Sequence, residues 1–169
     1  MSALVVHYSY TGTCGRVAEA LRTRFGFEGG EIQDARPGRG TWRCVLDSLL
    51  KRKPPIRYAG PAPDAFDLVV LVAPIWAYRL AGPMRTFLAE RRGSLPQVVL
   101  ITVMGGKGAA RALGEVTEIL GRPPAAYLPM VAREVEDGSF VERLERFRGD
   151  AASEPPGSYR PAFVSTRDA

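Results

Sequence analysis

The segment Ser9-Tyr10-Thr11-Gly12-Thr13-Cys14 is rich in groups that can hold a ligand. Ser9, Thr11 and Thr13 can each donate a hydrogen bond to a phosphate oxygen. Gly12 allows a tight turn. A helix opening at Thr13 would add free backbone N–H groups and a dipole that favours an anion. The segment contains no lysine, so it is not the GxxxxGK[ST] loop of nucleoside triphosphatases, and it does not spell GxGxxG. A second segment, Pro74-Ile75-Trp76-Ala77-Tyr78-Arg79-Leu80-Ala81-Gly82, sets two large aromatics in a connection rather than in a core. A third, from Thr102 to Gly108, carries Gly105, Gly106 and Gly108, which let the backbone approach a flat ligand closely.

No other constellation competes with these three. His7 is the only histidine, and within an apolar run it is expected to be a packed core residue. No His/Asp/Ser arrangement or metal cluster is visible. Cys14 and Cys44 are too few for a disulfide framework, which points to a reduced, cytosolic protein. The formal net charge is +5, but only Lys51, Lys53 and Lys107 of the 23 basic residues are lysines. The basic residues are dispersed, and the densest run, Lys51 to Lys53, is expected to be a solvated helix end. No nucleic-acid partner is therefore expected. No apolar run reaches the ~20 residues of a membrane span, and the N-terminus lacks a basic leader.

The elements that would position these segments alternate along the 169 residues, a length suited to one domain. Ala3 to Tyr8 is a continuous apolar run, expected to be a buried strand. Cys14, Val17, Ala18, Leu21 and Phe25 then fall at helical spacing. Gly30 to Gln33 predicts a short strand. Trp42, Val45, Leu46, Leu49 and Leu50 predict a second helix face, ended by Pro54 and Pro55. A Pro- and Gly-rich loop follows to Asp64. Leu68 to Ala73 predicts the strongest strand, covered on both faces as in a parallel sheet. Pro83 to Arg92 predicts a helix, Gln97 to Val103 a strand, and Ala109 to Leu120 a helix. Ala125 to Val131 predicts an edge strand, because Pro129 interrupts it. Ser139 and Glu142 form a capping-box pair opening a last helix. Five strands alternating with five helices predict an α/β domain over residues 1–149. Its sheet is a doubly wound parallel one of order 2-1-3-4-5 with helices on both faces. Residues 150–169 are expected to be a loosely packed tail. In such sheets ligands sit beyond the carboxyl ends of the strands, which is where all three segments fall.

On that strand and before that helix, Ser9, Thr11 and Gly12 match the S/T-x-T-G-x-T phosphate loop of the flavodoxins, which the segment resembles. Cys14 stands where the family usually has a hydroxyl, and a thiol is a weaker donor. The Trp76 loop, running into Pro83-Met84-Arg85-Thr86-Phe87-Leu88, is similar to the loop that flanks the isoalloxazine in that family. The resemblance spans about residues 3–148 and implies flavin mononucleotide (FMN) as cofactor. The phosphate would lie at Ser9, Tyr10, Thr11, Gly12, Thr13 and Cys14. The ring would lie beside Pro74, Ile75, Trp76, Ala77 and Tyr78, with Met104, Gly105, Gly106 and Lys107 offering backbone N–H groups. Many flavodoxins carry an aromatic in the third loop, and this chain has none, which leaves one ring face open. Three readings stay open: an electron carrier with a redox partner protein, an NAD(P)H-dependent reductase of quinones or free flavin, and an interaction module that has lost FMN. Arg79, Lys107 and Arg111 would give the reductase a basic mouth, whereas an electron-carrying flavodoxin is typically acidic.

Overall fold

The computed structural model describes residues 1–35, 40, 45–47 and 49–153. Trp42, Cys44 and residues 154–169 of the expected tail lie outside them. The strands are β1 (Ala3–Tyr8), β2 (Glu28–Asp34), β3 (Ile56–Ala59), β4 (Leu68–Trp76), β5 (Arg79–Leu80), β6 (Gln97–Met104) and β7 (Ala126–Val131). The helices are α1 (Thr13–Phe25), α2 (Gly82–Glu90), α3 (Ala109–Leu120), α4 (Ala132–Asp137) and α5 (Phe140–Ser153).

The sheet order is β3-β2-β1-β4-β6-β7, with β5 folded onto β4. The five parallel strands expected from sequence are β2, β1, β4, β6 and β7, in the anticipated order. The sheet is nevertheless mixed, which corrects the expectation of five parallel strands alone. β3 pairs antiparallel with β2 at one margin, and β5 pairs antiparallel with β4. β3 has only four residues, alternately half-buried and exposed, inside the stretch expected to be a loop. At the other margin β7 carries Pro129 on an outer strand, as expected.

Side chains alternate across the sheet, so each strand feeds two cores. On one side Leu4, Val6, Leu71 and Leu100 pack with Met84, Phe87 and Leu88 of α2 and Val116 of α3. On the other, Val5, Val70, Val72 and Ile101 pack with Val17, Ala18 and Leu21 of α1 and Leu144 of α5. Burying one such side chain contributes roughly 1.5–3 kcal/mol. The expected face of the second helix fares differently. Residues 45–47 and 49 are helical, but Leu46, Leu49 and Leu50 are exposed and Asp47 is buried instead. Helix α4 was not foreseen. It follows β7 directly, and the Glu134 carboxylate accepts the Val131 N–H at 2.9 Å. The helix expected to end near residue 149 runs on to Ser153. Among the described residues no helix is long and apolar enough to cross a membrane.

Candidate functional site

The three segments singled out in the sequence all leave the carboxyl ends of parallel neighbours, β1, β4 and β6. Gly12 enters α1 with φ 86°, a left-handed value that glycine adopts without strain. The first intrahelical bond runs from Arg16 N–H to Gly12 O at 3.0 Å. The N–H groups before it therefore have no acceptor within the helix. Thr11 is exposed and Thr13 half-buried, with their hydroxyl oxygens 3.1 Å apart. Below them the Ser9 hydroxyl is buried, and among the described residues it has no hydrogen-bond partner. His7 Nδ1, two residues earlier on the same face of β1, is in the same state. Burial lowers the His7 pKa below its ordinary value, against the opposing pull of Glu31. His7 is thus a half-buried residue under the loop rather than a fully packed core side chain.

Cys14 departs from its expected role. Its side chain is buried among Val5, Val17 and Ala18, and burial pushes the thiol up to about 12. It therefore packs on the interior face of α1 with Val17, Ala18 and Leu21. The helix N-terminus does not activate this thiol, because desolvation of the thiolate dominates.

The second segment is a hairpin, not the loop expected from Pro74. β4 continues through Pro74, which pairs in register with Val103, to Trp76. The chain then turns at Ala77 and Tyr78 and returns as β5, with Ile75 opposite Leu80 and Trp76 opposite Arg79. Both turn residues have positive φ, 48° and 65°, as a two-residue hairpin turn of the favoured hand requires. Ala81 N–H donates to Pro74 O at 3.1 Å and closes the base.

Aromatic contacts join this hairpin to the first segment. The half-buried Trp76 meets Tyr8 edge-on at 5.9 Å and Tyr10 at 5.7 Å between ring centroids. Tyr8 in turn donates to Asp34 Oδ2 at 2.9 Å. Trp76 also packs on the α2/α3 core, so it spans the interior and the exposed Tyr10. The third segment touches the hairpin through backbone. Gly108 has φ 119°, and a Cβ there would lie 2.8 Å from both Ile75 Cγ2 and Tyr78 Cα. β6 runs to the buried Met104, so the exposed part of this segment is Gly105, Gly106 and Lys107. Beside it a hollow of about 300 Å³ is lined by Tyr78, Lys107, Gly108, Ala110 and Arg111. Of the expected basic mouth, Lys107 and Arg111 line the hollow and Arg79 does not.

Two contacts thus bring the three segments together: Tyr10 on Trp76, and Gly108 against Ile75 and Tyr78. Pro74 and Ile75 are buried strand residues that support the hairpin from below. Sequence reasoning missed Tyr8, Arg85 and Glu115. Tyr8 lies inside an apolar run, and Arg85 and Glu115 find each other across 30 residues, so no local spacing marks either.

No family model matches the chain, and no curated protein matches it in sequence. Solved structures do match its fold. A flavoprotein from Lactobacillus acidophilus NCFM, crystallised in complex with FMN, superposes with a TM-score of 0.68 at 19% identity, over 82% of this chain and 98% of that one. Its apo form gives 0.61 at 18% identity, over 77% and 91%. Oxidised flavodoxin 1 from Bacillus cereus gives 0.50 at 13% identity, over 86% and 98%. The chain therefore has the flavodoxin-like fold.

Proposed function

We propose that this chain is an FMN-binding redox protein that passes electrons or hydride. The observation that carries the reading is the convergence of the three segments at the carboxyl ends of β1, β4 and β6, where this fold class binds ligands. The residues present fit the cofactor. Thr11, Thr13 and the first N–H groups of α1 would take the phosphate. The buried Ser9 hydroxyl, without a partner among the described residues, is a polar atom whose desolvation a ligand oxygen would offset. Trp76 and Tyr78 would wall the ring, and the backbone of Gly105, Gly106 and Lys107 would face its polar edge. Tyr10 would cover the link between the phosphate and ring subsites through its contact with Trp76.

When bound, the flavin supplies the electron or hydride chemistry, and the protein sets its surroundings. Here the chain contributes a neutral phosphate loop of hydroxyls and amides, an aromatic wall that excludes water, and a cationic margin. Cys14 contributes packing and one backbone amide. The hollow beside Tyr78 favours the reductase form, because Lys107 and Arg111 suit a phosphate-bearing donor such as NAD(P)H. The alternatives are a carrier that meets a redox protein and a module that has lost FMN.

Titrating FMN fluorescence with the purified chain tests the proposal. Quenching to a saturable plateau supports it, and an unchanged signal rejects it in favour of the cofactor-free module. Anaerobic mixing with NADH or NADPH then separates the two redox roles. Reduction faster than that of free FMN marks a reductase, and reduction no faster marks a carrier.

A further inference from the structure

Arg85 on α2 and Glu115 on α3 form a buried ion pair, their side chains 3% and 6% exposed. Arg85 Nε donates to Glu115 Oε1. The guanidinium also donates to backbone carbonyls. Nη2 donates to Leu80 O at 2.9 Å, and Nη1 to Arg52 O at 2.9 Å and Asp47 O at 3.4 Å. The other Glu115 oxygen accepts the Leu80 N–H at 3.4 Å. A buried ion pair is a weak source of stability, since apolar residues of similar volume often do as well. This pair does something an apolar pair would not: it grips both the N–H and the C=O of one residue.

That residue matters for the site. Leu80 ends β5, lies opposite Ile75, and stands two residues past Tyr78. The turn above it holds Ala77 and Tyr78 at positive φ without glycine. Such a conformation persists only where the surrounding structure over-determines it. From α2 the same guanidinium also ties the hairpin to Asp47 and Arg52, ahead of β3.

We infer that Arg85 and Glu115 are positioning residues for the ligand-binding hairpin: they fix Leu80 and thereby the placement of Trp76 and Tyr78. The part of this that concerns ligand affinity rests on the FMN reading. The positioning itself does not.

Two variants of the full chain test it. Arg85→Met with Glu115→Leu removes both charges and keeps apolar volume, and Glu115→Gln keeps the shape and removes one charge. Each is measured by cooperative melting, by FMN titration, by the visible bands of bound FMN, and by hydrogen exchange of the Leu80 amide in FMN-free protein. The expected result is a cooperatively folded variant whose FMN affinity falls about tenfold or more, by analogy with the loss seen when a partner that orients a metal ligand is removed. Its flavin bands shift, and its Leu80 amide exchanges faster. A folded variant with unchanged affinity and bands, or with unchanged Leu80 exchange, overturns the inference. If the double variant does not fold, the same readouts on Glu115→Gln decide. If the unaltered chain binds no FMN, the functional reading fails alone, and Leu80 exchange still decides the positioning.

Discussion

Gly108 sets how closely the third segment lies on the hairpin, and Gly108→Ala measures what that closeness is worth. A methyl group there would stand 2.8 Å from Ile75 Cγ2 and from Tyr78 Cα, where ordinary contact begins near 3.4 Å. One of those two atoms is backbone, so the hairpin must withdraw by about 0.6 Å, the difference between those contacts, because no side-chain rotation relieves it. The φ of 119° adds the strain of a left-handed alanine. That strain costs about 1–2 kcal/mol, and overpacking costs about 1–3 kcal/mol. The sum, about 2–5 kcal/mol, is a large part of the ~5–15 kcal/mol that holds a domain folded. Urea unfolding of FMN-free protein reads the loss, and FMN titration reads the displaced Tyr78 as weaker binding. Gly105→Ala and Gly106→Ala are internal controls, since a Cβ at either meets nothing within 4 Å. They are expected to stay within about 0.5 kcal/mol of the unaltered chain. If Gly108→Ala does so too, the two segments are not in contact, and the convergence on which the site rests is wrong.

Four further outcomes are expected. Thr11→Ala with Thr13→Ala weakens FMN binding by a few kcal/mol, at about 1.5–3 per bond to a charged group; an equal Kd for the double variant removes the phosphate assignment. Trp76→Ala weakens FMN binding and shifts the flavin bands, and an unchanged absorption spectrum would place the ring elsewhere. In a Cys44→Ser chain, Cys14 reacts slowly with a thiol reagent at pH 8 under native conditions and rapidly in urea, because burial pushes its thiol up to about 12; fast native labelling would contradict its packing. His7 has a folded pKa below its ordinary 6.5, so the unfolded chain binds the proton more readily. Its contribution to stability is complete above pH 6.5 and is lost as pH falls towards the folded value, so the urea midpoint drops between pH 7.5 and 5.5, and His7→Gln flattens that drop.

The parallel sheet was legible because β1, β4 and β6 are continuous apolar runs, which a two-faced burial demands. The phosphate segment was legible because Ser9, Thr11 and Gly12 are local and lie between a strand and a helix. The hairpin was not. Pro74 argued for leaving the sheet, and Ala77-Tyr78 lacks the Asn-Gly or Asp-Gly signature of a two-residue turn. Tertiary contacts around Leu80 supply what the local sequence does not. β3 was missed because Ile-Arg-Tyr-Ala is too short for a periodicity to register. Cys14 was legible as interior because it shares a helical face with Val17, Ala18 and Leu21, whereas its place in the phosphate segment came from the resemblance alone. The Leu46, Leu49 and Leu50 stripe was expected to be buried on periodicity alone, and periodicity does not say whether a partner face exists.

The two margins of the sheet bear on how copies of this chain meet. An unprotected outer strand offers its row of peptide groups to a neighbour, the usual route to strand-swapped or fibrous assemblies. Here one margin is β3, a template of only four residues. Tyr58 donates from its hydroxyl to Pro61 O at 2.8 Å, and the Arg91 guanidinium lies 5.1 Å over its ring, so the strand is tied back to the body. The other margin is β7, broken by Pro129, which has no N–H to give. Growth by added strands is thereby disfavoured at both margins of the described sheet.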